Sequence, residues 1–382
     1  MLAKFSVENF RKYKKLDLKN LSRINIFVGA NNAGKTSIIE AIIAFSCGTN
    51  LQSLFSMSMF HRTFDNITLF SPYTLAEMIT ATFFDYTQDF KFAFQGVVDE
   101  KNIMVKHSFK PSEIFSFFLP DDRGMFVEQH PSDRQNLMTM MYGGNSTVVQ
   151  NYHMGRWTIQ VNENEQKKYE IFHPQILPNN IIEKPIILAR LEESFSHRNE
   201  TENRMIFSIL ARKGLIPEFV EGLNSSFEAL EIESIENIPY PDGGIAPIIL
   251  RLKNKKIRPL YSFGDGLRRW FNILGGMVAY KHAVHCIEEI DSTFNCKLQG
   301  DLVPMLWKYA NEYDNQLFVT THNGEFLYNF LRCLKTDAGG DEVLREDIRV
   351  ITLRDYSDET RSRVLDGEEA FEALENGLEL RL

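Results

Sequence analysis

Eight consecutive residues, Gly29-Ala30-Asn31-Asn32-Ala33-Gly34-Lys35-Thr36, fit the spacing G-x-x-x-x-G-K-[ST], which has a direct reading in phosphate chemistry. Phosphate oxygens need donors. A helix N-terminus supplies unpaired N–H groups together with the positive end of the backbone dipole. The glycines let the chain curl without a Cβ in the way. Lys35 is placed to reach the terminal phosphates, and the Thr36 hydroxyl to hold Mg²⁺. Asn31, Asn32, Ala33, Gly34, Lys35, Thr36 and Ser37 are therefore the expected nucleotide contacts. An ordinary glycine turn is the competing reading. Context disfavours it: the apolar run Ile24–Val28 reads as a buried strand before the loop, and Lys35–Ile43 as a helix after it.

Three further stretches could complete such a site. The strand Ala283–Ile287 ends in Glu288-Glu289-Ile290-Asp291, and carboxylates at the C-terminal end of a parallel strand sit where α/β folds bind ligands. One can join Thr36 on Mg²⁺ while its neighbour polarises an attacking water; a plain charged turn is the alternative. The strand Gln316–Thr320 leads into Thr321-His322-Asn323, where His322 can hydrogen-bond the γ-phosphate or the water, or serve only as a structural histidine. Tyr261-Ser262-Phe263-Gly264-Asp265-Gly266-Leu267-Arg268-Arg269 is a Ser/Gly turn opening a helix, a second anion site. One protomer already holds its γ-phosphate in the first loop. The second loop makes sense if it closes on a nucleotide held by another protomer.

These pieces need a frame. Leu2–Val7 and Leu16–Leu21 read as a hairpin ahead of the P-loop strand, and Thr80–Tyr86 and Phe90–Phe94 alternate like strands. Between Gly96 and Lys184 the signals weaken to short candidates, Val148–Tyr152 and Trp157–Val161. From Pro185 onward strand and helix alternate, with a helical break near Gly214–Pro217 and a final helix at Glu368–Asn376. That rhythm predicts an α/β fold with a mostly parallel sheet, N-terminal β elements and a large mixed insertion. The expected division is 1–95 for a first lobe, 96–254 for an insertion and helical subdomain, and 255–382 for a second lobe.

The bulk numbers narrow the class. A chain of 382 residues with 43% hydrophobic and 24% charged content is of ordinary globular type. No run approaches the roughly 18 apolar residues of a membrane span, and no signal-peptide pattern opens the chain. Four cysteines without C-x-x-C spacing suit reduced thiols in a cytoplasm. The net charge of −9 argues against a generally sticky nucleic-acid binder but leaves room for a local basic groove. Thirty phenylalanines are unusual; a Phe/Met stripe such as Leu54, Phe55, Met57, Met59 and Phe60 reads as packing before it reads as a cofactor box.

The order of these motifs resembles a known family. Walker A, a Ser-x-Gly-x-Gly signature, a Walker B ending in Glu-Glu and a Thr-Thr-His switch follow one another in ABC-type ATPases. Asn9-Phe10-Arg11 and the G-x-N-N-x-G-K-T loop are similar to the SMC, RecF and OLD branch, across residues 1–47 and 258–325. The resemblance implies ATP and Mg²⁺ as cofactors, Arg11 among the nucleotide contacts, and Thr36 with Glu288 on the metal. It implies Glu289 as the catalytic carboxylate, His322 as the switch histidine and Asp291 as a dimer contact. Ser262, Gly264, Asp265 and Gly266 would form the signature acting in trans. Two departures stand out: Glu288 replaces the usual aspartate, and Asp265 stands in a signature without Leu-Ser-Gly-Gly.

The long coiled coil of SMC proteins and the TOPRIM nuclease of OLD proteins have no counterpart, with about 60 residues after His322. The resemblance therefore points to a stand-alone cytoplasmic ATPase subunit of a bacterial anti-phage system. It would be a homodimer or higher oligomer formed through ATP that gates a separate effector, such as a nuclease. A RecF-like DNA-repair or DNA-loading ATPase is the alternative. For that reading Arg251-Leu252-Lys253-Asn254-Lys255-Lys256-Ile257-Arg258 offers DNA phosphates five cations, or is a lysine-protected strand edge. A small-molecule kinase is a third reading, opposed by the Ser/Gly signature and Thr-Thr-His.

Overall fold

The computed structural model describes residues 1–55, 72–83, 90–113, 115, 152–163, 165–173, 184–227, 230–238, 240, 246–294, 296–337, 340–356 and 359–380. Three sheets organise them. The first is six-stranded, from β1 (Leu2–Phe10), β2 (Tyr13–Leu18), β4 (Lys91–Val98), β5 (Lys101–Pro111), β6 (Tyr152–Val161) and β7 (Glu165–His173), in the order β2-β1-β4-β5-β6-β7. Every pairing in it is antiparallel.

The second holds β3 (Ile24–Val28), β8 (Leu188–Glu192), β12 (Ala283–Ile287), β13 (Gln316–Thr320), β14 (Ile348–Tyr356) and β15 (Glu359–Asp366), in the order β15-β14-β3-β13-β12-β8. Four of its five pairings are parallel and the β15 edge is antiparallel. A small third sheet joins β9 (Ile232–Glu236), β10 (Ile249–Leu252) and β11 (Ile257–Pro259). The expected mostly parallel sheet thus describes one sheet of three, and the fold as a whole mixes parallel and antiparallel layers. The weak signals after Gly96 are the cause. Strand β4 pairs antiparallel with β1 of the N-terminal hairpin and runs across the expected boundary at 95/96, and β5 to β7 extend the same sheet beyond it.

The helices are α1 (Lys35–Cys47), α2 (Leu51–Leu54), α3 (Pro72–Thr80), α4 (Glu200–Arg212), α5 (Ile216–Ser226), α6 (Asp265–Ala279), α7 (Cys296–Glu312), α8 (Gly324–Asp337), α9 (Asp341–Asp347) and α10 (Gly367–Glu375). Helix α1 is buried without interruption from Ile38 to Cys47. An all-round apolar helix of this kind needs cover on every side, and α1 contacts β1 and β4 of the antiparallel sheet as well as β8 and β13 of the parallel one. Thr80 ends helix α3 rather than starting a strand, while Met57, Met59 and Phe60 of the expected stripe lie outside the described residues.

Two cores result. One fills the space around α1 with Phe5, Phe10, Phe45, Phe83, Phe92 and Phe94, all buried. Edge-on ring pairs such as Phe10–Phe92 and Phe10–Phe94, each 5.1 Å between centroids, add about 0.5–1.5 kcal/mol apiece beyond their area. The described phenylalanines of this stretch are thus core material. The other core lies on the far face of the parallel sheet and gathers Trp270, Phe271, Leu306, Phe326 and Phe330 from α6, α7 and α8.

Candidate functional site

The parallel register decides what meets what. Ile287 pairs with Val319 and Thr320 with Phe27, so β12, β13 and β3 end side by side. The P-loop, the Glu288-Glu289 turn and the Thr-Thr-His stretch all leave that one edge of the sheet, as the switch-point rule for open α/β sheets expects.

In the P-loop, Gly29 has φ +152°, Asn32 +67° and Gly34 +95°. A Cβ on Gly34 would lie 2.5 Å from the Tyr13 hydroxyl, and that hydroxyl donates to Gly34 O at 2.7 Å. Gly34 caps α1 without a side-chain hydrogen bond, which leaves the first N–H groups of the helix open. Lys35 Nζ arches back to donate to Gly29 O at 2.8 Å and Ala30 O at 2.9 Å. Burial holds its pKa below the usual lysine range, partly offset by the Glu289 carboxylate. Lys12 donates to Asn32 O and pairs with Asp355 on β14, bracing the loop from outside. Arg11 is engaged within the chain: its Nε lies 3.3 Å from the fully buried Glu40 and its Nη1 donates to Ala81 O at 3.1 Å.

Thr320 Oγ1 accepts the Glu289 N–H at 2.9 Å, and Ile290 N–H donates to Thr320 O at 3.0 Å. Thr321 Oγ1 donates to Asp291 at 2.7 Å. The switch stretch is therefore stitched residue by residue to the carboxylate turn. Glu289 takes φ +46°, a left-handed backbone that turns it out of the strand. Its carboxylate, about half exposed, lies 4.0 Å from His322 Nδ1. Thr36 in the first turn of α1 and Glu288 just after β12 carry hard oxygens, the donor chemistry Mg²⁺ prefers. They would hold the ion, which when bound would neutralise phosphate charge.

Among the hydrogen bonds of the described residues, the signature stretch meets this edge only through Arg269 at its end, which donates to Glu288 O and Glu289 O. Ser262 donates to Pro259 O at 2.7 Å, and among the described residues no hydrogen bond ties it to the P-loop. Gly264 caps α6 without a side-chain partner, and a Cβ there would meet nothing within 4 Å. Gly266 follows in the open first turn of the helix. Asp265, by contrast, is occupied inside the chain by Arg198 at 2.7 Å, Arg268 at 3.1 Å and His197 at 3.2 Å. The Arg198 hydrogen bond leads in holding its carboxyl below the usual range. Lys12, Tyr13, Thr320 and Arg269 carry no functional signal of their own in the sequence. Thr320 and Arg269 lie within the Thr-Thr-His and Ser/Gly stretches, but only the fold shows what they touch.

A family profile described as AAA ATPase domain matches residues 1–234, and a second AAA domain profile matches residues 160–327. The chain belongs to the AAA ATPase domain family. Among curated relatives, this ATPase is 20% identical over 400 residues to an ATP/GTP phosphatase of Helicobacter pylori, covering 97% of this chain and 99% of that one. It is 32% identical over 84 residues to the DNA replication and repair protein RecF of Clostridioides difficile, 20% of this chain and 23% of that protein. The solved SMC head domain from Thermotoga maritima aligns over 96% of this ATPase and 98% of that chain, at 12% identity and a TM-score of 0.44. An SMC head bound to the C-winged helix domain of ScpA aligns over 97% and 99%, at 12% identity and a TM-score of 0.46. Among the described residues no helix is long and apolar enough to cross a membrane.

Proposed function

We propose that this ATPase hydrolyses ATP with Mg²⁺ in a head-to-tail pair and gates a separate effector protein, as in anti-phage defence. The observation that carries the reading is the Glu289 carboxylate, half exposed and 4.0 Å from His322, on a turn pinned to Thr320 beside the P-loop. Lys35 with the N–H groups of residues 31–37 binds the phosphates, Thr36 and Glu288 hold Mg²⁺, and Glu289 polarises the attacking water with His322 at its side. Ser262, Gly264 and Gly266 complete the partner's site, which the uncapped α6 N-terminus supports.

Residues 96–254, apart from β8 in the parallel sheet, go beyond a minimal ATPase core and supply the effector contact. The test is co-purification with the native neighbouring proteins in ATP, in ADP and with Glu289→Gln. A partner bound equally in all three states removes the gating role, and nuclease activity of the pure chain, lost on a substitution within it, removes the subunit reading.

A RecF-like role on DNA is the second reading, favoured by the matched RecF segment. Of its candidate cations, Arg251 is committed to Glu236 through contacts of 2.7 and 3.0 Å. Steep salt dependence of DNA binding would support this reading over the first.

A further inference from the structure

Helix α6 begins at the signature loop and passes beneath the carboxylate turn, and one side chain joins the two. Arg269, only 2% exposed, donates Nη2 to Glu288 O at 2.7 Å and Glu289 O at 2.9 Å, and Nη1 to Ser292 O at 3.2 Å. Three carbonyls of one turn thus converge on one guanidinium. The planar fork fits that arrangement; a lysine ammonium could not span it.

The charge has a second consequence. Burial brings the Arg269 pKa down to about 10, with Glu192, Asp291, Glu289 and Glu288 acting in the opposite direction, so the group stays cationic at neutral pH. It places a fixed positive charge under the Glu288-Glu289 turn.

The helix carrying Arg269 is itself held. One turn on, Asn272 accepts from Arg190 Nη1 at its carbonyl, 3.1 Å, and from Nη2 at its side chain, 3.0 Å. Arg190 is clamped in turn by Glu192 and Glu202. A Cβ on Gly276 would lie 2.0 Å from Arg190 Nη1, so α6 has no slack against β8. A displacement of the signature loop therefore moves α6 as a strut.

We propose that Arg269 is the positioning residue that couples contact at the signature loop to the placement of Glu289. The Glu289 peptide is fixed on two sides: Thr320 Oγ1 takes its N–H and Arg269 holds its carbonyl. The left-handed φ of Glu289 is kept by that pair of contacts. When a partner's nucleotide draws on Ser262 and Gly264, the pull reaches the Glu289 backbone through Arg269.

This inference rests on the ATPase reading, so its test has one arm that needs no turnover. Arg269→Lys keeps the charge and most of the volume, and Arg269→Ala opens the site to added guanidinium ion. In the first arm, hydrogen exchange is followed on the nucleotide-free chain. The expected result in both variants is about tenfold faster exchange of the Glu289 and Ile290 amides, the loss of about one net hydrogen bond, with the other strands unchanged. Unaltered exchange there overturns the proposal. In the second arm, the expected result is a fall of about 100-fold in ATP kcat, the scale of a misplaced catalytic group, with KM within about twofold. Millimolar guanidinium restores part of the rate to Arg269→Ala and none to Glu289→Gln. A parental kcat in Arg269→Lys, or a loss of rate that guanidinium leaves untouched, overturns it. Absence of ATP hydrolysis in the parent chain would instead strike the ATPase reading, and the exchange arm would still decide the role of Arg269.

Discussion

Thr320 Oγ1 accepts the backbone N–H of Glu289 across 2.9 Å, tying the strand that leads into His322 to the residue proposed to activate water. A hydroxyl is needed there, whereas a methyl of the same shape leaves a partly buried N–H without its acceptor. Thr320→Val is expected to cut ATP turnover by about tenfold while nucleotide binding stays near the parental level; Thr320→Ser retains most of the rate. Steady-state kinetics beside fluorescent-nucleotide titration checks both, and equal turnover in Thr320→Val would deny the hydrogen bond its role.

The roles proposed for Lys35 and Glu289 predict that binding and chemistry can be separated. Lys35→Ala removes the cation that arches over the loop and is expected to abolish nucleotide binding by calorimetry. Glu289→Gln neutralises only the group proposed to polarise water, so binding is expected to persist and turnover to fall at least about 100-fold. Hydrolysis at the parental rate by Glu289→Gln would move the catalytic role elsewhere.

A shared site predicts complementation. Neither Lys35→Ala nor Ser262→Arg is expected to turn over alone. Their mixture regains part of the activity, because one of the two composite sites in a mixed pair is intact. Mixed dimers shown by native mass spectrometry without any regained activity would rule out the trans contribution of Ser262 and Gly264.

Gly34 is constrained twice, by its φ of +95° and by the Tyr13 hydroxyl 2.5 Å from any Cβ. Gly34→Ala is expected to cost about 1–3 kcal/mol of backbone strain and to weaken ATP binding. Adding Tyr13→Phe relieves the collision but leaves the dihedral, so the double variant recovers only part of the affinity. Full recovery would assign the whole effect to sterics.

The third sheet should carry a measurable acid limb. Hydrogen bonds from Arg251, then Ser234, bring the Glu236 carboxyl down to about 2. Its pKa is lower in the folded chain than the unfolded value of about 4.3, so this pair stabilises the fold above that pH. The contribution fades as the pH falls toward about 2. Melting curves of Arg251→Gln should lie below the parent at pH 7 and approach it near pH 2. A gap independent of pH would mean that packing, not the ion pair, sets it.

The sequence by itself determined the local parts of this protein. Ile24–Val28 as a buried strand, the P-loop and the helix from Lys35 follow from an apolar run, two glycines and a helical period, all within 25 residues of chain. Gln316–Thr320 is likewise legible from its own residues. Contacts spanning hundreds of residues were left to the tertiary structure. The β4–β5 and β6–β7 hairpins are local, but β1–β4 and β5–β6 pair across stretches that no short window contains, so alternation alone could not show one continuous antiparallel sheet. The same holds for the site. Glu288, Glu289 and His322 announce themselves by chemistry, but only the parallel register of β3, β13 and β12 sets them beside Lys35. Only packing turns Arg269 inward, onto carbonyls that carry no sequence signal, because every residue has one.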